Sequence, residues 1–277
     1  MSRRILTAVI FLIVVTAGFV WPEKMWGHGP LLLLMATVAV MCVLELCVMM
    51  RKKGLRVYKR VASWGVLALM VEAGWSHMHY SALLFGMAVC AAWAVRMRGK
   101  VEGAWGDVSA TCFSMAYIGI PMAAITKLYL TGAESRAWLI FGMCVIWSTD
   151  SFALFVGKAM GRHKLSPKIS PGKTVEGSIG GIGGALAAAA VAWFVFGTHF
   201  RAAGMVEFLL FTVIFSIIAQ IGDLAESMLK RDVGVKDSGS ALTGHGGFLD
   251  LMDAALFCAA PLLFYLQVFH PDIVAAR

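Results

Sequence analysis

Apolar runs long enough to cross a bilayer recur along the whole of this 277-residue chain, and that recurrence limits the fold more than any motif does. At about 20 residues per crossing, the runs predict spans near 5–21, 30–50, 61–76, 79–95, 108–130, 137–157, 175–197, 205–226 and 249–269. Polar residues interrupt the third, fourth and fifth. Only 14% of residues are charged and the mean hydropathy is +0.79, where soluble domains carry about 25% charge. Too little polar surface exists to wrap these runs in water. The expected class is all-α, a polytopic membrane bundle of about nine helices. Residues 1–135 would carry about five of the spans. Residues 136–277 would carry the rest, together with the longest polar segments, where function is expected.

Charge tests this arrangement. Nine spans put the N-terminus, 51–60, 96–107, 158–174 and 227–248 on one side, and nineteen of the 24 lysines and arginines fall there. Lys24, Lys127, Arg136, Arg201 and Arg277 remain for the other side. Basic residues accumulate on the cytoplasmic face of a membrane protein. The N-terminus and the polar segments are therefore expected in the cytoplasm, at the cell's inner membrane, with the C-terminus on the far side. The same bias accounts for the net charge of +8. A nucleic-acid partner is not expected, since no basic, aromatic-interleaved domain exists. The opening MSRRILTAVIFLIVVTAGFVW resembles a signal peptide but lacks a small-x-small cleavage site, so it reads as a retained first span. The six cysteines lie in apolar stretches without a C-x-x-C pair, which argues against a zinc site or a disulfide framework.

Acidic residues inside the spans carry the chemistry. An aspartate there costs roughly 3 kcal/mol on insertion scales, so each needs a partner or a purpose. Asp223 ends an apolar run in IAQIGDLAESMLKR, with Ser227 and Lys230 on its helix face and Glu226 beside them. Pairing with Lys230 or Arg231 at a helix end is the plain structural account. In GHGGFLDLMD, Asp250 and Asp253 are three apart at the start of the last span. There they can interact with the helix dipole, or join Asp223 in an oxygen-only site suited to Mg²⁺ bound to phosphate. The glycines before them suit close backbone approach to a ligand. His245 sits in that turn. Lys164, Lys168 and Lys173 precede a helix starting near Thr174, a pattern that makes an anion site, although cytoplasmic bias alone also places lysines there. Gly172-Lys173-Thr174 is not a P-loop, because Pro167 stands where its first glycine belongs. GSIGGIGG at 177–184 has small residues at i, i+4 spacing and predicts close helix packing. Asp150 lies mid-span. Glu45 is within reach of Arg51 and Lys52 and receives no role, and Glu72 has no account.

These pieces together resemble the phosphatidate cytidylyltransferase (CDP-diacylglycerol synthase) family. SMLKRDVGVKDSGSALTGHGGFLDLMD, residues 227–253, matches that family's signature at Ser227, Lys230, Arg231, Lys236, Asp237, Gly239, His245, Gly246, Gly247, Asp250 and Asp253. An earlier block matches at Ser170, Pro171, Lys173, Thr174, Glu176 and Gly177, and Gly222-Asp223-Leu224 with Ser227 matches a third. Asp150 and the stretch to Gly157-Lys158 also resemble the family. The likeness covers about 145–265. Thr243 replaces a usual proline, and Leu251 a usual arginine between the two aspartates.

The resemblance implies that CTP and phosphatidic acid give CDP-diacylglycerol and pyrophosphate in phospholipid biosynthesis, with residues 136–277 catalytic. It implies Asp223, Asp250 and Asp253 as ligands of Mg²⁺, a second cation being left open. Asp223, Asp250, Lys230 and Ser227 would be catalytic. Lys173, Arg231, Lys236, Asp237, His245 and Asp150 would bind substrate, in a homodimer. Two rivals stay open. A CTP-dependent polyprenol or phytol kinase would release CDP. An ion-coupled transporter would use Asp150, Asp223 and Glu72, but the 234–247 loop has no counterpart in the first half, as paired broken helices would require.

Overall fold

A computed structural model describes residues 28–75, 80–99, 101–239 and 246–275. The expected span at 5–21, His245 and Thr243 lie outside these residues. The protein is an all-helical polytopic membrane protein with a single small hairpin among the described residues. Its helices are α1 (Gly29–Lys52), α2 (Lys59–Trp75), α3 (Ser81–Arg96), α4 (Ala104–Thr131), α5 (Ala133–Met160), α6 (Val175–Phe196), α7 (Met205–Asp232), α8 (Phe248–Phe269) and the short α9 (Pro271–Ala275). Strands β1 (Lys164–Ser166) and β2 (Ser170–Thr174) pair antiparallel between α5 and α6.

Six helices among the described residues are long and apolar enough to cross a membrane: α1, α4, α5, α6 continued to His199, α7 and α8. Among the described residues this corrects two of the expected spans, 61–76 and 79–95. The runs at 61–76 and 79–95 are helical but short, at 17 and 16 residues, below the ~30 Å that a hydrocarbon core requires at 1.5 Å per residue. The fifth run, despite its polar residues, is one long helix, α4, which contains a π-helical turn at Met115–Gly119.

The chain forms two compact units that are discontinuous in sequence. One comprises Met1–Lys127 and Asp232–Met252, and the other Leu128–Arg231 and Asp253–Arg277. In the first unit, α1, α2 and α4 pack around Leu46, Met49, Met115, Ile118 and Met122, all essentially inaccessible. Close contact is set by glycine there: a Cβ on Gly119 would meet Leu69 Cδ1 at 3.0 Å.

In the second unit, α6 lies along α5, as the small-residue pattern predicts. A Cβ on Gly177 would stand 2.7 Å from the Ala153 carbonyl oxygen, and one on Gly181 2.9 Å from that of Thr149. Hydrogen atoms in place of side chains let the helix axes approach closely, so that van der Waals packing can hold the helices together in a lipid solvent. Thr149 and Ser216 hydroxyls bond at 2.9 Å and tie α5 to α7. Trp138 is fully buried in an aromatic cluster with Phe141, Phe200, Phe208, Phe211 and Tyr265.

Candidate active site

In the second unit the polar side chains gather around the hairpin and the last turns of α7. Thr174 caps α6, its hydroxyl accepting the Gly177 N–H at 3.1 Å, so β2 runs straight into a helix N-terminus. That junction holds Lys173, whose ammonium pairs with the Asp223 carboxylate on α7. Asp150 on α5 lies within electrostatic reach of both. Asp253 on α8 lies within reach of Asp223, Glu226 and Asp150. Glu226 is fully buried and takes the Lys230 ammonium at 2.7 Å. Arg231 Nε donates to the Ile169 carbonyl at 3.3 Å, which ties the hairpin tip to α7. Ser178 and Gln220 join α6 to α7 one turn deeper. Glu176 accepts the backbone N–H groups of Arg162 and His163 and also meets the His163 ring at 2.6 Å, closing the base of the hairpin.

The Asp223 partner is therefore Lys173, from a different element, and Lys230 serves Glu226 instead. The helix-end account that paired Asp223 with Lys230 or Arg231 is replaced. Lys173, Asp223, Asp150 and Asp253, far apart in sequence, are brought into one electrostatic cluster. Its carboxylates outnumber the ammonium groups paired to them.

In the first unit, Asp250 stands in the first turn of α8. Its Oδ2 accepts the Gly247 N–H at 2.7 Å, the Ser238 N–H at 2.8 Å and the Ser238 hydroxyl at 2.9 Å. Glu45, from the middle of α1, reaches the same turn. Its two oxygens accept the N–H groups of Phe248 at 3.0 Å and Leu249 at 2.9 Å, and Oε2 also meets the Ser238 hydroxyl at 3.0 Å. Sequence reasoning missed Glu45 and Ser238. The signal was present for Glu45, an acid in the apolar run VLELCV, by the criterion that singled out Asp150. Glu72, also unexplained from sequence, accepts the Tyr80 N–H at 3.0 Å, just before α3.

Of the GHGG glycines, Gly246 and Gly247 lie among the described residues. The Gly247 amide goes to Asp250, and the next two amides go to Glu45, so protein carboxylates take them. A Cβ on Gly247 would overlap Glu45 Oε2 and the Ser238 hydroxyl. Gly246 has φ +84°, and a Cβ there would overlap Asp250 Oδ2. Lys236 and Asp237 are exposed in the segment before Ser238. Ser227 is half-buried on α7.

Asp250 and Asp253 share α8 one turn apart, and the boundary between the units passes between Met252 and Asp253. Among the described residues, no three His, Cys, Asp or Glu side chains converge into a ready-made metal cage. Mg²⁺ seldom needs one: it is commonly held by one or two carboxylates, with water and substrate phosphate completing an all-oxygen shell. Asp223 and Asp253, electrostatically coupled and oxygen-only, fit that requirement.

Comparison with known proteins follows the same line. The cytidylyltransferase family model matches residues 2–269. A protein of Staphylococcus saprophyticus named phosphatidate cytidylyltransferase is 35% identical over 97% of this chain and 99% of its own length. Proteins of that name from Bacillus subtilis and Staphylococcus aureus are each 34% identical over 97% of this chain, covering 98% and 99% of their own lengths.

Proposed function

The chain belongs to the cytidylyltransferase family, and from that premise we propose that it transfers the cytidylyl group of CTP to phosphatidic acid, giving CDP-diacylglycerol and pyrophosphate. The observation that carries this reading is the Lys173–Asp223 pair, set at the N-terminus of α6 with Asp150 and Asp253 close by. A cation-binding acid and a phosphate-binding base held together suit a reaction between two polyanions.

The nucleophile is a phosphate oxygen of the lipid, which is ionised at neutral pH. It attacks the α-phosphorus of CTP, and the bond to the β-phosphate breaks as pyrophosphate leaves. No proton has to be removed, so no general base is needed. Charge neutralisation and in-line positioning supply most of the acceleration. Lys173, Lys230 and Arg231 bind the phosphates, and Ser227 donates to a phosphate oxygen. Lys236, Asp237, His245 and Asp150 orient the substrates. Asp223, Asp253 and Asp250 are the residues that would hold Mg²⁺, which supplies charge neutralisation at the α-phosphate and the departing pyrophosphate.

On substrate binding Lys173 would leave Asp223 for phosphate, and the Asp223 carboxylate would then be available to hold Mg²⁺. The hairpin and the 232–247 segment are separated by α6 and α7, two helices long and apolar enough to cross a membrane. Both would therefore face the cytoplasm, where CTP is found, at the inner membrane, with the N-terminus inside, the C-terminus outside and a homodimer as the working assembly.

The test is incubation of the purified protein with labelled CTP, phosphatidic acid and Mg²⁺, followed by identification of both products. CDP-diacylglycerol with pyrophosphate is expected. Release of CDP instead would make the protein a kinase and end this reading.

A further inference from the structure

We infer that Glu45 is a positioning residue for the reaction: it sets the first turn of α8, and through Ser238 it sets the carboxylate of Asp250. The inference rests on the cytidylyl-transfer reading above. The first N–H groups of a helix have no partner within it. An ordinary N-cap residue supplies one with its own side chain, and the residue at N3 reaches back to the N-cap N–H. In α8 the N-cap position is Gly247, which has no side chain. Asp250, at N3, performs the reaching-back half. Glu45 supplies the other half from α1, accepting the N–H groups of Phe248 and Leu249. A side chain at 247 would occupy the space that Glu45 fills. A Cβ at Gly239 would likewise stand 2.7 Å from Glu45 Oε1. Glu45 is only 8% exposed, within a span where an acid is expensive.

The consequence for chemistry runs through Ser238. Its hydroxyl has one hydrogen and stands between two acceptors, Glu45 Oε2 at 3.0 Å and Asp250 Oδ2 at 2.9 Å. One hydrogen serves one acceptor at a time. Glu45 gives the Ser238 hydroxyl a second acceptor, so that hydroxyl would stay satisfied if Asp250 were to hold a divalent cation. Glu45 thus sets both the plane of the Asp250 carboxylate and the energy with which it meets a cation. Partners of this kind that act on metal ligands typically change affinity or activity by about 10–100-fold.

The experiment uses the full-length protein in nanodiscs, with Mn²⁺ binding followed by electron paramagnetic resonance, melting by tryptophan fluorescence and cytidylyl transfer by product analysis. Glu45→Gln keeps the volume and one acceptor but turns an amide N–H₂ toward the donors. It is expected to weaken Mn²⁺ binding and raise half-saturating Mg²⁺ by about tenfold. Amide exchange at Phe248 and Leu249 should also speed up. Ser238→Ala, which removes one hydroxyl, should weaken Mn²⁺ binding severalfold with Tm little changed. A role in stability alone would lower Tm and leave Mn²⁺ affinity as in wild type. That result, in whichever of the two variants inserts, overturns the inference. A wild-type protein that makes no CDP-diacylglycerol, while Glu45→Gln still weakens Mn²⁺ binding, would defeat the cytidylyl-transfer reading alone.

Discussion

Asp223 and Asp250 answer to different surroundings, and substitutions should separate them. Asp223 is half-buried and pairs with Lys173. Lys173→Ala removes a phosphate-binding charge and also leaves Asp223 without its ammonium. The apparent KM for CTP is expected to rise about tenfold or more, in line with the roughly 1.5–3 kcal/mol of a hydrogen bond to a charged group. An unchanged KM would remove Lys173 from the phosphate role. Asp250→Asn replaces an oxygen acceptor of three donated bonds with an amide that can accept only on one atom. Cytidylyl transfer should fall to background while the protein still inserts. Near-normal turnover would remove Asp250 from the cation site. Gly247→Ala drives a methyl group into Glu45 and Ser238, and it should abolish activity with no change in any titratable group. The acids on α7 and α8 were legible in the sequence because charge within an apolar run is conspicuous. Glu45 was not, because basic residues a few positions on offered it an adequate partner.

At the scale of elements, helix ends and helix faces were readable, and short strands were not. The expected span 30–50 is α1, Gly29–Lys52, with Pro30 in its first turn and Arg51 and Lys52 in its last, where they complement the dipole. The helix expected near Thr174 starts at Val175, capped by that threonine. Thr174→Ala should cost about 1 kcal/mol, read as a lower Tm. The glycine face of α6 packs on α5 as its spacing predicts. Gly181→Leu, which forces a side chain against the Thr149 carbonyl, should lower Tm well beyond the threonine substitution; an equal or smaller shift would deny this face its packing role. The hairpin escaped notice because strands of three and five residues, one containing proline, are too short for alternation to register. The π-turn in α4 escaped because one extra residue per turn alters hydrogen bonding without altering composition.

For the whole molecule, the division into units does not follow chain order. The segment Asp232–Met252 belongs with Met1–Lys127, and Glu45 accounts for much of that. Residues 128–277 produced without the rest carry every expected catalytic side chain, yet they lack the carboxylate that caps α8. They are expected to be inactive, and co-production of 1–127 should restore transfer. Activity of the isolated C-terminal piece would show that residues 1–127 contribute nothing to the site.

The membrane class, the helical fold and the cytidylyltransferase resemblance were all determined by the sequence itself. Hydropathy acts over runs of about 20 residues, and the signature keeps its chemical residues at fixed spacing. Tertiary structure alone decided which acid meets which base, that the Gly247 amide serves Asp250, and that Glu45 of α1 completes the cap of α8. Those bonds join residues up to 204 positions apart. No local periodicity carries such information, because a buried polar group is satisfied by whichever partner the packed chain brings within about 3 Å.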